Sequence, residues 1–264
     1  MPAVVSTPSA HPQQDDPPGA ARRLWVTWQH PETRRMHVIG CLAAMPDGSW
    51  SFWYVRSALQ TPDFRPLAHF PLLDREYQSS EIFPIFANRL MSPRRPDYGE
   101  FLATLDLGRD ATPFDILARS TGDRATDSIR LHPEPDIDPN TGLTTCRFLA
   151  HGIRHIDGAA ERVEQLASGD RLTLRPEPDN PVNARALLLD AEHGKPVGYV
   201  PDLLLGYVHR MLKYRYVDVR VDRVNPPPAP VSLRLLCHLE GFWPSGPAPF
   251  TGPDFEPIHP SDLK

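Results

Sequence analysis

The chain has 264 residues, 40% of them hydrophobic, which is enough for two modest cores or one large one. No apolar run reaches the roughly 18–20 residues of a membrane span, and the start of the chain lacks a basic segment followed by an apolar one, so no membrane association and no secretory signal are expected, and a cytoplasmic location is the expectation. A net charge of −5 excludes the overall basic footprint common among nucleic-acid binders, so any phosphate binding must rest on a local patch.

Residues 1–22, rich in Pro, Ser, Gln and Asp, are expected to be disordered, because they hold too little apolar surface to offset ordering entropy. Residues 24–28 and 36–43 are apolar and strand-like. Met45-Pro46-Asp47-Gly48 gives a turn, and Ser49–Val55 an aromatic strand, which together predict an antiparallel hairpin. Ser79-Ser80 predicts a helix start, with Pro84 in its first turn and Ile82, Phe83, Ile85, Phe86 and Leu90 near helical spacing. Tyr98–Leu105 is a further amphipathic segment. Thr112-Pro113-Phe114-Asp115 opens a short helix that carries Ile116 and Leu117.

The proline-rich stretch 132–144 reads as a linker. It divides a first domain, 23–131, from a second, 145–243, and residues 244–264 form a Pro-rich irregular tail. The first 144 residues hold 14 basic and 18 acidic side chains, and residues 145–243 hold 13 and 12, so the second domain is merely neutral. In it, 145–150 reads as a strand and Ala159–Ser168 as a short helix that Gly169 ends. Arg171–Arg175 and Ala186–Leu189 are strands, Glu192–Lys195 is a hairpin tip, and Val197–Val200 returns. A helix follows from Pro201 to about Leu212. Val217, Val219 and Val221, then Val231, Leu233, Leu235 and Cys237, alternate as half-buried strands. The expected fold is α+β, a small α+β domain followed by an OB-like β-barrel with two helices.

Three signals occur in order in the second domain: His151-Gly152-Ile153-Arg154-His155 after a strand; Gly169-Asp170 before a strand, then Glu177-Pro178-Asp179-Asn180-Pro181-Val182-Asn183-Ala184-Arg185-Ala186; and Gly198-Tyr199-Val200-Pro201 before a helix. This ordered set resembles the HIRAN domain pattern. The resemblance implies an OB-like fold and binding of single-stranded or end-bearing DNA, since the best-known member holds the 3′ end of single-stranded DNA. It also places Asn183 where the family has an aspartate that accepts the terminal hydroxyl's hydrogen, and Val182 where the family has an aromatic that stacks on a base. An amide oxygen accepts the same bond without charge assistance, and losing the stacking platform forfeits roughly 1–3 kcal/mol.

The residues themselves leave alternatives open. Asn180 either bonds its own backbone two residues on or contacts a ligand. Arg154, Arg175 and Arg185 are candidate phosphate contacts or solvated surface arginines. His155 and Tyr199 are candidate stacking platforms, and Tyr199 also suits a barrel core. Arg210, Lys213 and Arg215 extend a basic stripe unless Asp218 and Asp222 neutralise it.

In the first domain, Phe70-Pro71-Leu72, Ile82–Leu90 and Pro113–Leu117 resemble the N-terminal subdomain of HipA-type toxin kinases over residues 24–130, without a kinase core. That resemblance implies a protein partner, with a separately encoded HipA-type kinase and a toxin–antitoxin-like role as the alternative to nucleic-acid docking. An accessory role to a nuclease or hydrolase is a third option.

His151 and His155 have zinc-ligand spacing, but Gly152 and the preceding strand argue against the required helix. Asp136, Asp138 and Asn140 imitate a calcium loop whose glycine falls one place late and whose twelfth position is Arg147. No metal, cofactor or catalytic residue is assigned, and the chain is expected not to be an enzyme. The three cysteines, Cys41, Cys146 and Cys237, are too scattered for a zinc motif and read as buried small hydrophobes. With 32 prolines and only three lysines, the composition resembles a GC-rich bacterial genome's output.

Overall fold

A computed structural model describes residues 21–124, 127–214 and 216–263. The expected disordered start lies outside these as far as residue 20, and Arg22 already opens a strand. The first sheet runs in the order β4 (Tyr77–Ser79), β3 (Trp50–Tyr54), β2 (Met36–Ala44), β1 (Arg22–Gln29), β5 (Ile129–Pro133), all antiparallel. The predicted hairpins are present, closed at Met45–Ser49 by a turn in which Asp47 Oδ1 accepts from the Ser49 backbone.

Helices α1 (Pro84–Ala87) and α3 (Pro113–Ser120) pack on this sheet, and α2 (Tyr98–Thr104) packs against α3 in a small cluster of Leu102, Leu105 and Ile116. The helix foreseen from Ser79-Ser80 shrinks to one turn, because Tyr77–Ser79 pairs with β3 as an edge strand. Helix α3 begins as its sequence dictates. Thr112 caps it, and the Asp115 carboxylate returns a bond to the Thr112 backbone, completing a capping box. Leu24, Val26, Leu42, Phe52, Phe86, Leu117 and Leu131 form the core between sheet and helices.

The second sheet runs β10 (Lys195–Tyr199), β9 (Leu187–Ala191), β8 (Arg171–Pro176), β11 (Val217–Val224), β12 (Leu235–Phe242), β7 (Leu143–Leu149), β6 (Asp136–Ile137). Helices α4 (Ala159–Glu164) and α5 (Asp202–Leu212) are the two foreseen helices, and they pack on it with Val163, Leu204, Leu205, Val208 and Met211. The segment Val231–Leu233, foreseen as strand, is a short 3-10 turn ahead of β12.

The expected closed barrel does not form among the described residues. The sheet is open, ending at β10 and β6. A single bridge, His151 to Tyr199, ties β10 to the segment leaving β7. The reason is local: Gly152 takes a left-handed φ of 69° and turns the chain into a 3-10 turn, so no further residue can pair.

The stretch read as a linker is ordered. Its start finishes β5, and β6 pairs with β7 through a tight turn in which the Asp138 side chain accepts from Asn140 and Thr141. The tail is likewise pinned. Phe250 and Ile258 are buried, Val55 bridges Pro257, and Arg56 reaches both Glu256 and Asp262. Its aromatics meet the far face of the first sheet, with Trp25 5.0 Å from Phe255 and 6.2 Å from Phe250 between ring centroids. Trp25, Cys41 and Val55 thereby belong to the same apolar cluster as the second sheet's core.

Phe250→Ala should therefore lower the stability of the whole chain by about 3–5 kcal/mol. One shifted transition is expected when urea unfolding is followed by tryptophan fluorescence, since Trp25, Trp50 and Trp53 all lie in the first sheet or against it. An unchanged midpoint would mean that the tail packs without stabilising.

Candidate nucleic-acid interface

The rim around the Asn-Pro turn is assembled from three separate segments. The first is the turn itself. Asn180 Oδ1 accepts from the backbone N–H groups of Val182 and Asn183, both at 3.0 Å, so Asn180 takes the structural role. The Asn180 amide donates to Glu177, and Asn183 Oδ1 accepts from the Arg185 N–H at 3.0 Å. The turn is thus fixed by its own side chains, with Val182 and Asn183 part-exposed and Arg185 exposed on it.

The second segment is the end of β10. The Tyr199 hydroxyl donates to Glu177 at 3.0 Å, which joins it to the Asn180 side chain through one carboxylate. Burial, then the neighbouring Glu177, pushes the phenol up to about 12, so it remains a donor at neutral pH. The third segment is the turn after β7. A Cβ on Gly152 would sit 2.7 Å from Tyr199 Cδ2, so only glycine allows the Tyr199 ring to lie on this backbone. Arg154 and His155 follow at once, both exposed, with Arg154 Nε donating to His155 Nε2 at 3.1 Å.

Tyr199 thus connects the turn that carries Asn180, Val182, Asn183 and Arg185 to the segment that leads into Arg154 and His155. Arg175 stands apart in charge. Its guanidinium grips the buried Asp190 with two bonds, of 2.5 and 3.0 Å, so it serves as the counterion of that carboxylate. Of the basic stripe at the end of α5, Arg210 stacks on Trp243 at 4.6 Å, Lys213 is exposed, and Arg215 lies outside the described residues.

Sequence reading missed Asp202, the first residue of α5. Burial raises its carboxyl, and it lies against the Asn183 side chain and the Met36 backbone N–H, near Arg35 and His37 of the first sheet. Asn183 therefore faces Asp202 on one side and the Arg185 backbone on the other. Helix α5 packing on β2 creates this arrangement, which no local pattern encodes.

A second group missed by sequence reading is a pair of histidines at the junction of the sheets, His132 buried and His151 part-buried. The rings of His132 and His151 lie 6.2 Å apart. Burial first, and then the nearby positive charge of Arg130, pushes His151 down to about 3, and His132 also lies well below its ordinary value. The His151 ring lies beside His132 at the junction, whereas His155 is exposed on the turn that follows. All three cysteines are buried, with their thiols pushed up by burial, as small hydrophobes. Among the described residues no group of three or more His, Cys, Asp and Glu is placed to hold a metal, and no helix is long and apolar enough to cross a membrane.

Comparison with known proteins agrees with the ordered motifs. Residues 143–243 match the HIRAN domain family, and this stretch is a HIRAN domain. Two solved structures are similar at 16% identity. One is the HIRAN domain of human HLTF, covering 37% of this chain and 74% of that one, with a TM-score of 0.29. The other is a protein from Lactobacillus plantarum, covering 38% and 97%, with a TM-score of 0.31. No curated protein matches the chain. The family match does not reach residues 24–130, and none of these comparisons supports the expected likeness of that stretch to HipA-type kinases.

The histidine pair sets a pH dependence. Both groups bind protons in the unfolded chain below about 6.5 but not in the folded one, so stability is full above that value and falls as pH drops toward about 3. The expected slope is up to about 1.4 kcal/mol per pH unit for each histidine. Urea midpoints measured between neutral and mildly acidic pH should fall, and His132→Phe should flatten the fall. A midpoint equally pH-dependent in the variant would place the titrating group elsewhere.

Proposed function

We propose that the HIRAN domain binds single-stranded nucleic acid, at or near an end, along the rim formed by the Asn-Pro turn, the Tyr199 edge and the Arg154 turn. The observation that supports this reading is the tying of the Asn-Pro turn to β10 by the hydrogen bonds of Tyr199, Glu177 and Asn180, and of β10 to the Arg154 turn by the His151–Tyr199 bridge, the two turns bearing arginines without a carboxylate partner among the described residues. Arg154 and Arg185 supply phosphate contacts, His155 supplies a face for a base, and the first domain supports the rim from below. Glu177 and Asp179 lie in the same rim and oppose phosphate, so the affinity is modest. The reading is of a binding protein and not an enzyme, and the buried cysteines, with thiols held protonated, offer no nucleophile.

Arg154→Ala combined with Arg185→Ala should weaken binding of a fluorescent oligonucleotide and reduce the dependence of log K on log salt by about one to two. Arg175→Ala should instead destabilise the fold, because it leaves the buried Asp190 charge unpaired. Titrations at two salt concentrations, with a melting curve for each variant, separate the two effects. Undiminished affinity in the double variant would move the site off this rim.

Preference for a free 3′ end should be small. The Asn183 oxygen already accepts the Arg185 N–H, and the net value of one further hydroxyl bond is roughly 0.5–1.5 kcal/mol, or about tenfold at most. Val182→Tyr should tighten overall binding by restoring a stacking face worth about 1–3 kcal/mol. Oligonucleotides with a 3′-hydroxyl or a 3′-phosphate test both statements; discrimination near a hundredfold in the wild type would show that Asn183 is a dedicated end receptor.

A further inference from the structure

The β1–β2 hairpin of the first sheet comes up beside the Asn-Pro turn, and its tip is rigid. His30 is buried, and its Nδ1 accepts from the backbone of Glu32 and Thr33, each at 3.2 Å. The His30 N–H donates to the Arg35 carbonyl at 2.9 Å, and the Arg34 N–H donates back to the His30 carbonyl at 3.0 Å. Gln29 Nε2 donates to the Arg34 carbonyl at 2.9 Å, and Arg34 turns the chain with a left-handed φ of 60°. Five hydrogen bonds satisfy the backbone inside the loop, while the Arg34 and Arg35 side chains are left exposed. Neither guanidinium has a hydrogen bond or ion pair among the described residues.

The hairpin's position relative to the rim is fixed by Asp202. Its carboxyl lies between the Met36 N–H of the hairpin and the Asn183 side chain of the turn, so the two surfaces adjoin across one side chain. The packing of α5 on β2, with Val38 set against the second core, holds them in register. Arg185 stands on the near side, its carbonyl bonded to His209 at 2.8 Å. The opposing charges are Glu32 on the tip, Asp63, which engages His30 at 3.3 Å, and Asp202, whose carboxyl lies near Arg35.

We propose that the nucleic-acid path runs from the Asn-Pro turn onto this hairpin, where Arg34 and Arg35 hold phosphates of the strand beyond the nucleotides at the rim. The inference rests on the binding reading given above. It makes the first domain part of the nucleic-acid interface itself. Two exposed arginines on a loop whose backbone is held by internal hydrogen bonds are suited to this, because their charges are presented with little ordering cost at the backbone. The preference is for a single strand passing the rim, since one rim and one hairpin define a linear track.

The test compares fluorescein-labelled oligodeoxythymidines of about 3 and about 12 nucleotides, one below and one within the range of site sizes typical of OB-type folds, about 4–16 nucleotides. The full chain is used throughout. Arg34→Asn with Arg35→Ala keeps a residue tolerant of the left-handed turn and should leave the melting temperature unchanged. It should weaken the longer strand by about fivefold or more, reduce its salt slope by about two and spare the short one. Glu32→Gln should tighten the longer strand alone. Arg154→Ala with Arg185→Ala should weaken both lengths. A longer strand bound as tightly and with the same salt slope by the hairpin variant would overturn the inference while the rim reading stands. Wild-type protein that binds neither length would overturn both.

Discussion

The alternation of strand β1 between two cores is the constraint on which the rest of the molecule depends. Leu24 and Val26 point to the helices of the first domain, whereas Trp25 points the other way, into the cluster shared with the second sheet and the tail. A period of two in the side chains makes this unavoidable once both faces are covered. Trp25 is buried with no hydrogen-bond partner for its indole N–H among the described residues, which costs roughly 1–3 kcal/mol. Burying so large a ring against Phe250 and Phe255 more than offsets that cost. Because the two sheets share this cluster, the hairpin that β1 and β2 form is held in a fixed place relative to the HIRAN domain. A flexible tether would have left Asp202 without Met36 to face.

The rim depends on a second, smaller constraint, the contact of Tyr199 with the backbone at Gly152. The glycine's left-handed conformation stops strand pairing after one bridge, so the sheet stays open at the point where a ligand would enter. The Tyr199 ring fills the space a side chain would take, and its hydroxyl is thereby carried to Glu177 and the Asn180 turn. The same residue that ends the ladder thus positions the site. Gly152, Tyr199 and Asn180, far apart in the sequence and each locally unremarkable, thereby act as one unit.

Much of this was legible in the sequence, for physical reasons that vary by element. The strands of the first hairpins and the α3 capping box follow from periodicity and local side-chain-to-backbone bonds. The Asn180 turn follows from the same chemistry, and the structural reading of Asn180 holds. Elements that depend on distant partners were not readable. Tyr77–Ser79 is a strand only because β3 offers an edge, and Asp136–Ile137 only because β7 does; in isolation the prolines around the latter suggest a linker. The tail looked irregular and is so in backbone, but Phe250 and Ile258 find apolar surface that local composition cannot reveal. Within the site, Asp202 and the His132–His151 pair escaped notice because burial, not spacing, gives them their character.

Charge is where counting misleads most. Residues 145–243 are almost neutral, yet the distribution of acid partners leaves an uneven surface. Asp190 neutralises Arg175, Asp222 pairs with Arg147, and Asp218 engages both Arg171 and Arg220. These arginines belong to the fold's own ion pairs, and several of the carboxylates are largely buried, which strengthens the pairing. Arg154 and Arg185, on the rim, and Arg34 and Arg35, on the neighbouring hairpin, have no such partner among the described residues. An acidic protein can thus present a short positive track, provided its carboxylates are spent elsewhere in the structure. Because exposed charges are screened beyond about 8–10 Å at moderate salt, a phosphate at the track responds to these nearby arginines and hardly to the net charge of the chain.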